Sequence, residues 1–361
     1  MEVLRRAAKE PFGGEIVLVS PHPEHFYSAM LPAQLRGDIP DSALALDLRA
    51  LCLDANARYV QGEARRIEAS REGAVVHTAS EPISGDACSL NIGSDAASSD
   101  VPGVREFAFT VRPHARWLAL VKLVREVMRS GASAPFTVTV VGGGAGSVEL
   151  MLALVARARS AGQNVQGTLV CGSEGLVEDL GPRFASRVRG VMESCGIRVL
   201  VGQRVVSVAA DHVMLADGTR VDSALTVWVT GPSAPALLRK SGLPVDEDGF
   251  LRVDATLRAV NGDAVFGAGD CITLVESPWA SKSLAYARRA APVLAHNLRN
   301  VVGSPVGEPK LYDAPQRTLS ILDTSDGKAL LYWQGWSVYA KWALGLKRRM
   351  DTRLVERYRV P

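Results

Sequence analysis

The sequence predicts an α/β fold in which strands alternate with helices and form parallel sheets. The β-branched run FTVTVV at 136–141 leads into three glycines, after which apolar residues recur with a helical period. A second short run, DAVFGAGDCI at 263–272, ends in a glycine-rich turn and also precedes a helical pattern. The 33 glycines exceed an average share of about 7%, as expected for a fold with many tight strand-to-helix turns.

Length and composition narrow the class of protein. A chain of 361 residues suits two domains or three small ones. Its net charge of +3 is too small for a dedicated nucleic-acid binder, and 47% hydrophobic residues argue against a disordered chain. The five cysteines include no C-x-x-C spacing, so we predict neither a metal site nor a thioredoxin-like redox pair. We expect reduced thiols, a cytoplasmic location and no membrane-spanning helix.

The individual elements follow from local periodicity and from turn residues. Helical patterns lie at 3–9, 111–130, 148–159 and 283–299, and a basic helix ends the chain. Strand patterns lie at 15–20, 136–141, 167–171 and 263–272, with several short strands within 197–228 and aromatic strands before the last helix.

The loop after the FTVTVV strand has the pattern G-x-G-x-x-S. Gly142 permits the tight turn, Gly144 lets a pyrophosphate approach the backbone, and the small Ser147 lets the helix pack closely on the strand. Free amides around Gly143, Ala145 and the start of the helix then hold the phosphates. The loop therefore predicts dinucleotide binding, and the alternative is a purely structural turn.

An acidic side chain at the end of the next strand, about 20 residues further on, usually accepts the adenosine ribose hydroxyls. Cys171 stands there in this sequence, and Glu174 follows shortly after it. Glu174 is therefore the candidate ribose ligand, with a solvated loop acid as the alternative. The sequence leaves the choice between NAD and NADP open.

The second glycine turn places Gly269 and Asp270 at the end of a strand. An aspartate in this position can accept a hydrogen bond from a sugar hydroxyl. It can equally be the N-cap of a following helix, because its carboxylate accepts from free helix amides. The residues alone leave both interpretations open.

Three motifs together resemble the pyridine nucleotide-disulfide oxidoreductase superfamily: VVGGGAGSVE at 140–149, VWVTG at 227–231 and VFGAGDC at 265–271. The segments 21–37 and 342–359 resemble a narrower group, the type II NADH dehydrogenase-like flavoproteins, especially the module fused to selenide, water dikinase. The resemblance implies two Rossmann-like dinucleotide-binding domains, the FAD/NAD(P)-binding fold, and a small C-terminal region.

The resemblance also implies domain limits and a reaction. The FAD-binding domain takes residues 1–112 and 232–320, the NAD(P)H-binding domain takes 113–231, and the C-terminal region takes 321–361. We expect an NAD(P)H dehydrogenase that passes a hydride from NAD(P)H to FAD and then electrons to a quinone or a similar small acceptor. Disulfide reductases of this superfamily carry a cysteine pair beside the flavin. This sequence lacks such a pair, so the flavin would reduce the acceptor directly.

The glycine turns acquire specific roles from the resemblance. Asp270 binds the ribityl or phosphate region of FAD, and Gly269 allows the close approach. Gly93 matches the first crossover between the two domains, although SLNIGS replaces the usual alanine-threonine-glycine sequence. Thr230 and Gly231 match the second crossover.

The resemblance also implies a catalytic region. Lys282 and Ser283 begin the helix that points at the isoalloxazine, and Met30 and Leu31 lie near the flavin ring. Glu149 matches a family glutamate near the contact between nicotinamide and flavin, where a carboxylate can relay protons to a quinone or steer the nicotinamide. We therefore predict Glu149 and Lys282 as catalytic residues. The alternative for Glu149 is a first-turn acid that the helix dipole favours.

The sequence departs from the family pattern at its start. The first G-x-G-x-x-G, which binds the FAD pyrophosphate, is absent, and Met1 falls where the helix after that loop begins. One explanation is a true start further upstream, which makes the FAD-binding domain N-terminally incomplete here. The other is that FAD binding has been lost. In that case the rival function is a non-catalytic nucleotide-sensing or interaction module.

The basic C-terminal helix has two interpretations. Trp342, Leu346, Met350, Leu354 and Tyr358 recur every four residues and form an apolar stripe among many basic residues. A basic amphipathic helix with a tryptophan suits peripheral binding at the inner face of an anionic membrane. Alternatively, the stripe packs on its own domain or on a second copy of the chain in a homodimer.

Overall fold

The computed structural model describes residues 1–97, 100–130, 135–303 and 307–360. Within these ranges the α-helices are α1 (Glu2–Ala7), α2 (Leu31–Arg36), α3 (Leu48–Asp54), α4 (Val104–Phe107), α5 (His114–Ser130), α6 (Ala145–Ser160), α7 (Pro182–Ser194), α8 (Ala236–Lys240), α9 (Leu284–Val302) and α10 (Lys341–Tyr358). None of the helices in this part of the chain is both long and apolar enough to cross a membrane.

The strands are short and are numbered in chain order. Those before the second crossover are β1 (Val17–Ser20), β2 (Glu24–Phe26), β3 (Ala45–Asp47), β4 (Arg58–Gln61), β5 (Arg66–Ala69), β6 (Ala74–His77), β7 (Ile83–Gly85), β8 (Cys88–Leu90), β9 (Asp95–Ala96), β10 (Ala108–Thr110), β11 (Phe136–Val141), β12 (Val165–Val170), β13 (Arg198–Leu200), β14 (Val205–Val208), β15 (His212–Leu215), β16 (Arg220–Asp222) and β17 (Leu225–Trp228). The later ones are β18 (Pro232–Ser233), β19 (Leu251–Val253), β20 (Val265–Gly267), β21 (Ile272–Leu274), β22 (Ser320–Asp323), β23 (Ala329–Trp333) and β24 (Trp336–Ala340).

A five-stranded parallel sheet forms the middle of the chain, in the order β10-β17-β11-β12-β13. The last four residues of β11 and all four of β17 are buried, as expected for parallel strands covered on both faces. This confirms the strand predicted at 136–141. The following helix starts at Ala145, earlier than predicted, because Gly144 adopts the extended N-cap conformation and small residues complete the first turn.

The remaining parallel strands form three separate pairs, β1 with β4, β8 with β20, and β19 with β21. Helix α1 packs against α3 and α9, while α3 packs on β4 and α9 packs on β20. These elements surround a second core that contains Ile67, Leu251, Phe266 and Leu294. The predicted α/β class with parallel sheets is therefore confirmed.

The C-terminal region consists of the antiparallel strands β22, β23 and β24, on which α10 packs. The predicted apolar stripe is only partly right. Trp342 is 59% exposed and Leu346 is only half-buried, whereas Tyr358 is buried. The inner face of the helix instead includes the charged pair Lys347 and Asp351. The buried face of α10 consists of Ala343, Leu344, Val355 and Tyr358 together with this ionic pair, so the helix is rotated relative to the predicted stripe.

A buried carboxylate joins the first and last helices. The Glu2 side chain is 3% exposed and accepts hydrogen bonds from Arg5 at 2.8 Å, Arg6 at 3.0 Å, Arg357 at 3.0 Å and the Tyr358 hydroxyl at 3.1 Å. Burial raises the pKa of this carboxyl, but the hydrogen bonds from Arg5 and Arg6 outweigh burial and lower the pKa to about 2. The charged form of Glu2 therefore stabilises the contact between α1 and α10.

We predict that Glu2→Gln destabilises the protein by about 1–3 kcal/mol at pH 7, because charged hydrogen bonds are lost from a buried site. A carboxyl with a depressed pKa contributes stability above its unfolded value of 4.5, and loses it as the pH falls toward about 2. The difference between variant and wild type should therefore shrink as the pH falls through this window. Urea unfolding at several pH values measures it.

Glu15→Gln is the matched control, because Glu15 pairs with Arg58 at 2.8 Å but both side chains are more than half exposed. An exposed pair contributes only about 0–1 kcal/mol. An equal loss in both variants, or a loss for Glu2→Gln that does not change with pH, would contradict the prediction.

Candidate functional site

The glycine loop between β11 and α6 is shaped by two close approaches. Gly142 has φ +135°, and a Cβ there would overlap the Val229 carbonyl oxygen. A Cβ at Gly143 would overlap the Cys171 sulfur. Both positions therefore require glycine, because the ends of the two neighbouring strands press directly on the loop.

Gly144 is different, because no atom lies within 4 Å of where its Cβ would be. It is the N-cap of α6, and no side chain caps the helix. The first amides of α6 are thus open to a ligand, which is the arrangement that binds phosphate at a helix N-terminus. Pyrophosphate binding at Gly144 and Ala145 stays a prediction, and the open helix start is compatible with it.

Ser147 has a packing role in the structure. Its side chain is buried, and its hydroxyl donates to the Val229 carbonyl oxygen at 2.9 Å. The hydroxyl is satisfied within the protein, so serine replaces the usual third glycine without leaving a buried polar group unpaired. Ser147 fixes α6 against the end of β17.

The end of β12 forms a compact loop. The Cys171 thiol donates to the Gly175 carbonyl oxygen at 3.4 Å, and the Gly175 amide donates to Glu178 at 2.9 Å. Glu174 is exposed on this loop, and its carboxylate faces Gly202. The loop holds Glu174 at the strand end predicted for a ribose ligand, where its carboxylate is accessible.

The two crossovers between the sheets lie side by side. Strands β9 and β18 pair in antiparallel fashion, and the Ala97 amide donates to the Gly231 carbonyl oxygen at 2.9 Å. The Thr230 hydroxyl and the Trp228 indole both donate to the Ala97 carbonyl oxygen. Thr230 and Gly231 therefore join the crossovers to each other, and the Thr230 hydroxyl is already occupied.

The second glycine turn carries the Asp270 carboxylate, which makes few contacts with other groups of the protein. Gly269 has φ +83°, and a Cβ there would lie 2.8 Å from the Asn91 amide nitrogen. The Asp270 side chain is 23% exposed, and within the described ranges its sole ion-pair partner is Arg112, at 3.7 Å. This separation is too long for a hydrogen bond, so the Asp270 oxygens are free to accept from a ligand hydroxyl.

Arg112 is a site residue that the sequence analysis missed. Its Nη1 donates to the Ser94 carbonyl oxygen at 2.9 Å, and the guanidinium occupies space that a Cβ at Gly93 would fill. Gly93 has φ +72°. No local sequence pattern marks Arg112, because its partner Asp270 lies far away along the chain.

Lys282 and Ser283 lie at the start of α9, as predicted. Ser283 is the N-cap of the helix. The Lys282 ammonium donates to the Ile272 carbonyl oxygen at 2.8 Å and to Thr273 Oγ1 at 3.0 Å, and it lies 4.1 Å from the Phe250 ring centroid. Burial lowers the pKa of Lys282. The structure thus directs this ammonium toward β21 and Phe250, and a catalytic role for it stays a prediction.

Glu149 is buried one turn into α6, and its surroundings come from the C-terminal region. Its Oε1 accepts from the Asp323 amide at 2.8 Å and lies 3.5 Å from the Lys347 ammonium. Lys347 also lies 3.4 Å from Asp351, which accepts from the Tyr27 hydroxyl at 3.0 Å. We call Glu149, Lys347, Asp351 and Tyr27 the buried ionic cluster.

The protonation of this cluster is set by burial and by mutual attraction. Burial raises the pKa of Glu149 and of Asp351, and the Lys347 charge opposes both shifts. Burial lowers the pKa of Lys347, but the two carboxylates outweigh burial and raise it. The cluster therefore holds a permanent cation between two acids whose proton affinity is increased.

Met30 and Leu31, the two residues predicted to lie near the flavin ring, differ in burial. Met30 is half-buried at the end of a short 3-10 helix, whereas Leu31 is the first residue of α2 and is buried in the core. Their position beside the flavin ring stays a prediction.

The sequence profile of the pyridine nucleotide-disulphide oxidoreductase family matches residues 1–296. An NADH dehydrogenase-like protein of Mycobacterium tuberculosis is 25% identical over 301 residues, which cover 82% of this chain and 74% of that protein. A type II NADH:quinone oxidoreductase of Haemophilus influenzae is 26% identical over 150 residues, which cover 39% of this chain and 34% of that protein.

Solved structures share the fold. NDH2 from Plasmodium falciparum in complex with NADH has a TM-score of 0.83 at 13% identity, over 99% of this chain and 93% of that one. The sulfide:quinone oxidoreductase of Aquifex aeolicus has a TM-score of 0.82 at 17% identity, over 99% of this chain and 89% of that one. At these identities the likeness concerns the fold alone.

We predict that Gly143→Ala destabilises the protein by about 1–3 kcal/mol, because the new methyl group overlaps the Cys171 sulfur. Cys171→Ala removes that sulfur. The same Gly143→Ala change should therefore cost at least about 1 kcal/mol less in the Cys171→Ala background. Urea unfolding of the two single variants and the double variant measures the coupling.

Gly144→Ala is the control, because the space around its Cβ is open. Its stability should stay within about 0.5 kcal/mol of wild type, while its affinity for NADH falls because the methyl group blocks the approach of the pyrophosphate. Additive costs of Gly143→Ala and Cys171→Ala, or unchanged NADH binding by Gly144→Ala, would contradict the geometry.

Proposed function

The chain belongs to the pyridine nucleotide-disulphide oxidoreductase family, and from this premise we propose that it transfers electrons from NAD(P)H to a quinone. It is an NAD(P)H dehydrogenase, a flavoprotein oxidoreductase that uses FAD and NAD(P)H. When bound, FAD accepts a hydride from NAD(P)H and returns electrons to an acceptor. The observation that carries the proposed acceptor is the buried ionic cluster beside the glycine loop.

The residues present fit both cofactors. For NAD(P)H, we assign the open N-terminus of α6 at Gly144 to the phosphates, which its free amides would hold, and Glu174 to the adenosine ribose. For FAD, Asp270 supplies a free carboxylate, and Gly93 leaves room for the Arg112 guanidinium near it. Asp270 and Arg112 are the polar groups that we assign to FAD.

The cysteines support direct reduction of the acceptor. All five lie within the described ranges, and none of them is disulfide-bonded. Cys88 and Cys271 flank the FAD motif, and burial raises the pKa of each thiol to about 11. Such thiols stay protonated near neutral pH and are poor nucleophiles. We therefore propose that no cysteine relays electrons.

The proposed role of Glu149 follows from the number of protons that the reduction of a quinone requires. Reduction of a quinone to a quinol takes two electrons and two protons, whereas a hydride supplies two electrons and one proton. The second proton must come from the protein or from water. Glu149 is buried one turn into α6 and burial raises its pKa, so we propose this carboxyl as the donor of the second proton. Lys347 positions the carboxylate and limits the shift.

We predict that the protein reconstituted with FAD loses its visible flavin absorbance when NADH is added without oxygen, and regains it when a water-soluble ubiquinone analogue follows. Glu149→Gln should leave the first step nearly unchanged and slow the second by about tenfold or more, because the glutamine cannot donate a proton. Stopped-flow absorbance separates the two steps.

Asp270→Asn should weaken FAD retention, measured by fluorescence after gel filtration.

The outcomes distinguish the alternatives. A protein that stays colourless after incubation with FAD would support a nucleotide-sensing module. A protein that bleaches with NADH but recolours only with another acceptor would remove the quinone assignment and leave the dehydrogenase. Equal slowing of both steps in Glu149→Gln would assign Glu149 to nicotinamide positioning instead.

We also propose that the C-terminal region docks on an anionic membrane. Trp336 is 82% exposed, Trp342 is 59% exposed and Trp333 is 41% exposed, all on β23, β24 and the start of α10. Arg349 and Arg353 on α10 are exposed as well. Exposed indole rings next to arginines suit the headgroup level of an anionic bilayer.

We predict that the protein sediments with vesicles containing phosphatidylserine at low salt, and that the double variant Trp336→Ser and Trp342→Ser sediments much less. Trp279→Ser is the matched control, because Trp279 is 48% exposed but lies outside the C-terminal region. Binding should weaken at high salt, since the arginines contribute by charge attraction. Absence of binding at low and high salt, or equal losses in the control, would overturn the membrane proposal.

A further inference from the structure

A cavity of about 760 Å³ opens between α1, the C-terminal half of α9 and the segment at Lys310. Its volume lies in the range of small-molecule sites. The charged groups around it come from three separate segments and are mostly basic: Arg5, Arg6, Lys9, Arg299 and Lys310, with Glu10 as the one carboxylate in the lining. The floor is apolar and consists of Phe12 and Ala295.

This cavity is distinct from the cofactor site. Ser283 begins α9 next to the flavin motif, whereas Ala295 and Arg299 line the cavity further along the same helix. At a rise of about 1.5 Å per residue, the cavity lies roughly 18–24 Å from the start of α9. A ligand held here would not touch the glycine turn at Asp270.

The cavity carries more positive charge than the carboxylates and helix C-termini around it neutralise. Arg5 and Arg6 share Glu2, and Arg299 pairs with Glu10. Lys9 and Lys310 have no side-chain partner among the residues that the structure describes. The two carboxylates of Glu2 and Glu10 thus offset part of the charge of the five cations in the lining. The C-termini of α1 and α9 each carry about half a negative charge, which offsets roughly one more cation and leaves an excess of about two.

We propose that this cavity binds a polyphosphate ester of the size of a nucleoside triphosphate. Arginine and lysine together suit a ligand with several phosphate charges, since a guanidinium binds phosphate in a bidentate manner and an ammonium adds a point charge. The apolar floor at Phe12 and Ala295 offers a surface for the flat base. The site is independent of the redox reaction and goes beyond the proposed function.

The test is calorimetric titration of the FAD-loaded protein with ATP, and with inorganic tripolyphosphate, in the presence of saturating NAD⁺. The NAD⁺ keeps the glycine loop at Gly144 occupied, so that ATP cannot bind there. The double variant Lys9→Gln and Lys310→Gln should weaken ATP binding by about tenfold or more, because two of the charges that hold the phosphates are lost. Tripolyphosphate should retain part of the affinity.

The matched control is the double variant Lys122→Gln and Lys240→Gln, which makes the same change in net charge at two exposed lysines outside the cavity. It should bind ATP like wild type. No measurable heat in the wild type, or equal weakening in both double variants, would overturn the proposal.

Two further measurements separate this proposal from the proposed function. Thermal unfolding of the Lys9→Gln and Lys310→Gln variant should match wild type in the absence of ATP, which excludes misfolding. Its flavin should bleach with NADH as in the wild type, because neither lysine lies at the cofactor site. A wild type that binds ATP without bleaching would retain the polyphosphate site and overturn the dehydrogenase instead.

Discussion

The arrangement around the nucleotide loop depends on one electrostatic requirement, the compensation of the buried carboxylate of Glu149. An uncompensated buried charge costs several kcal/mol, so the fold must bring a cation to it. Lys347 is that cation, and it is itself held by Asp351, which Tyr27 satisfies in turn. This chain of partners fixes α6, α10 and the segment before α2 relative to one another. The C-terminal helix is thereby part of the site rather than an appendage.

The same requirement explains where sequence reasoning succeeded and where it failed. The strand β11, its glycine loop and the start of α6 were predictable because the information is local: β-branched residues, then glycines, then a helical period. The rotation of α10 was not, because an apolar repeat says nothing about a partner far away in sequence. Trp342 therefore belongs to the exposed surface, while Lys347 is turned inward. Arg112 was missed for the same reason, since its meeting with Asp270 exists only after folding.

The glycine loop is also constrained by the space that its neighbours leave, and a sequence pattern predicts this constraint only in part. The motif predicted Gly142, Gly144 and Ser147 as small residues, and the structure shows that Gly143 is confined as well. Gly142 is pressed by the end of β17, Gly143 is pressed by the thiol at the end of β12, and Gly144 faces open space. Ser147 replaces a glycine because its hydroxyl finds a carbonyl acceptor on the neighbouring strand. The loop is thus rigid on its protein side and open on its ligand side, as phosphate binding requires.

Burial raises the pKa of two kinds of acid, the thiols of Cys88 and Cys271 and the carboxyl of Glu149, with different chemical consequences. It raises the pKa of the Cys88 and Cys271 thiols to about 11, so that both thiols stay protonated near neutral pH. It also raises the pKa of the Glu149 carboxyl, which increases the proton affinity of that group. The charge of Lys347 opposes this shift. One physical effect therefore weakens both thiols as nucleophiles and increases the proton affinity of Glu149, and both results are in line with the proposed acceptor, which takes electrons directly from the flavin.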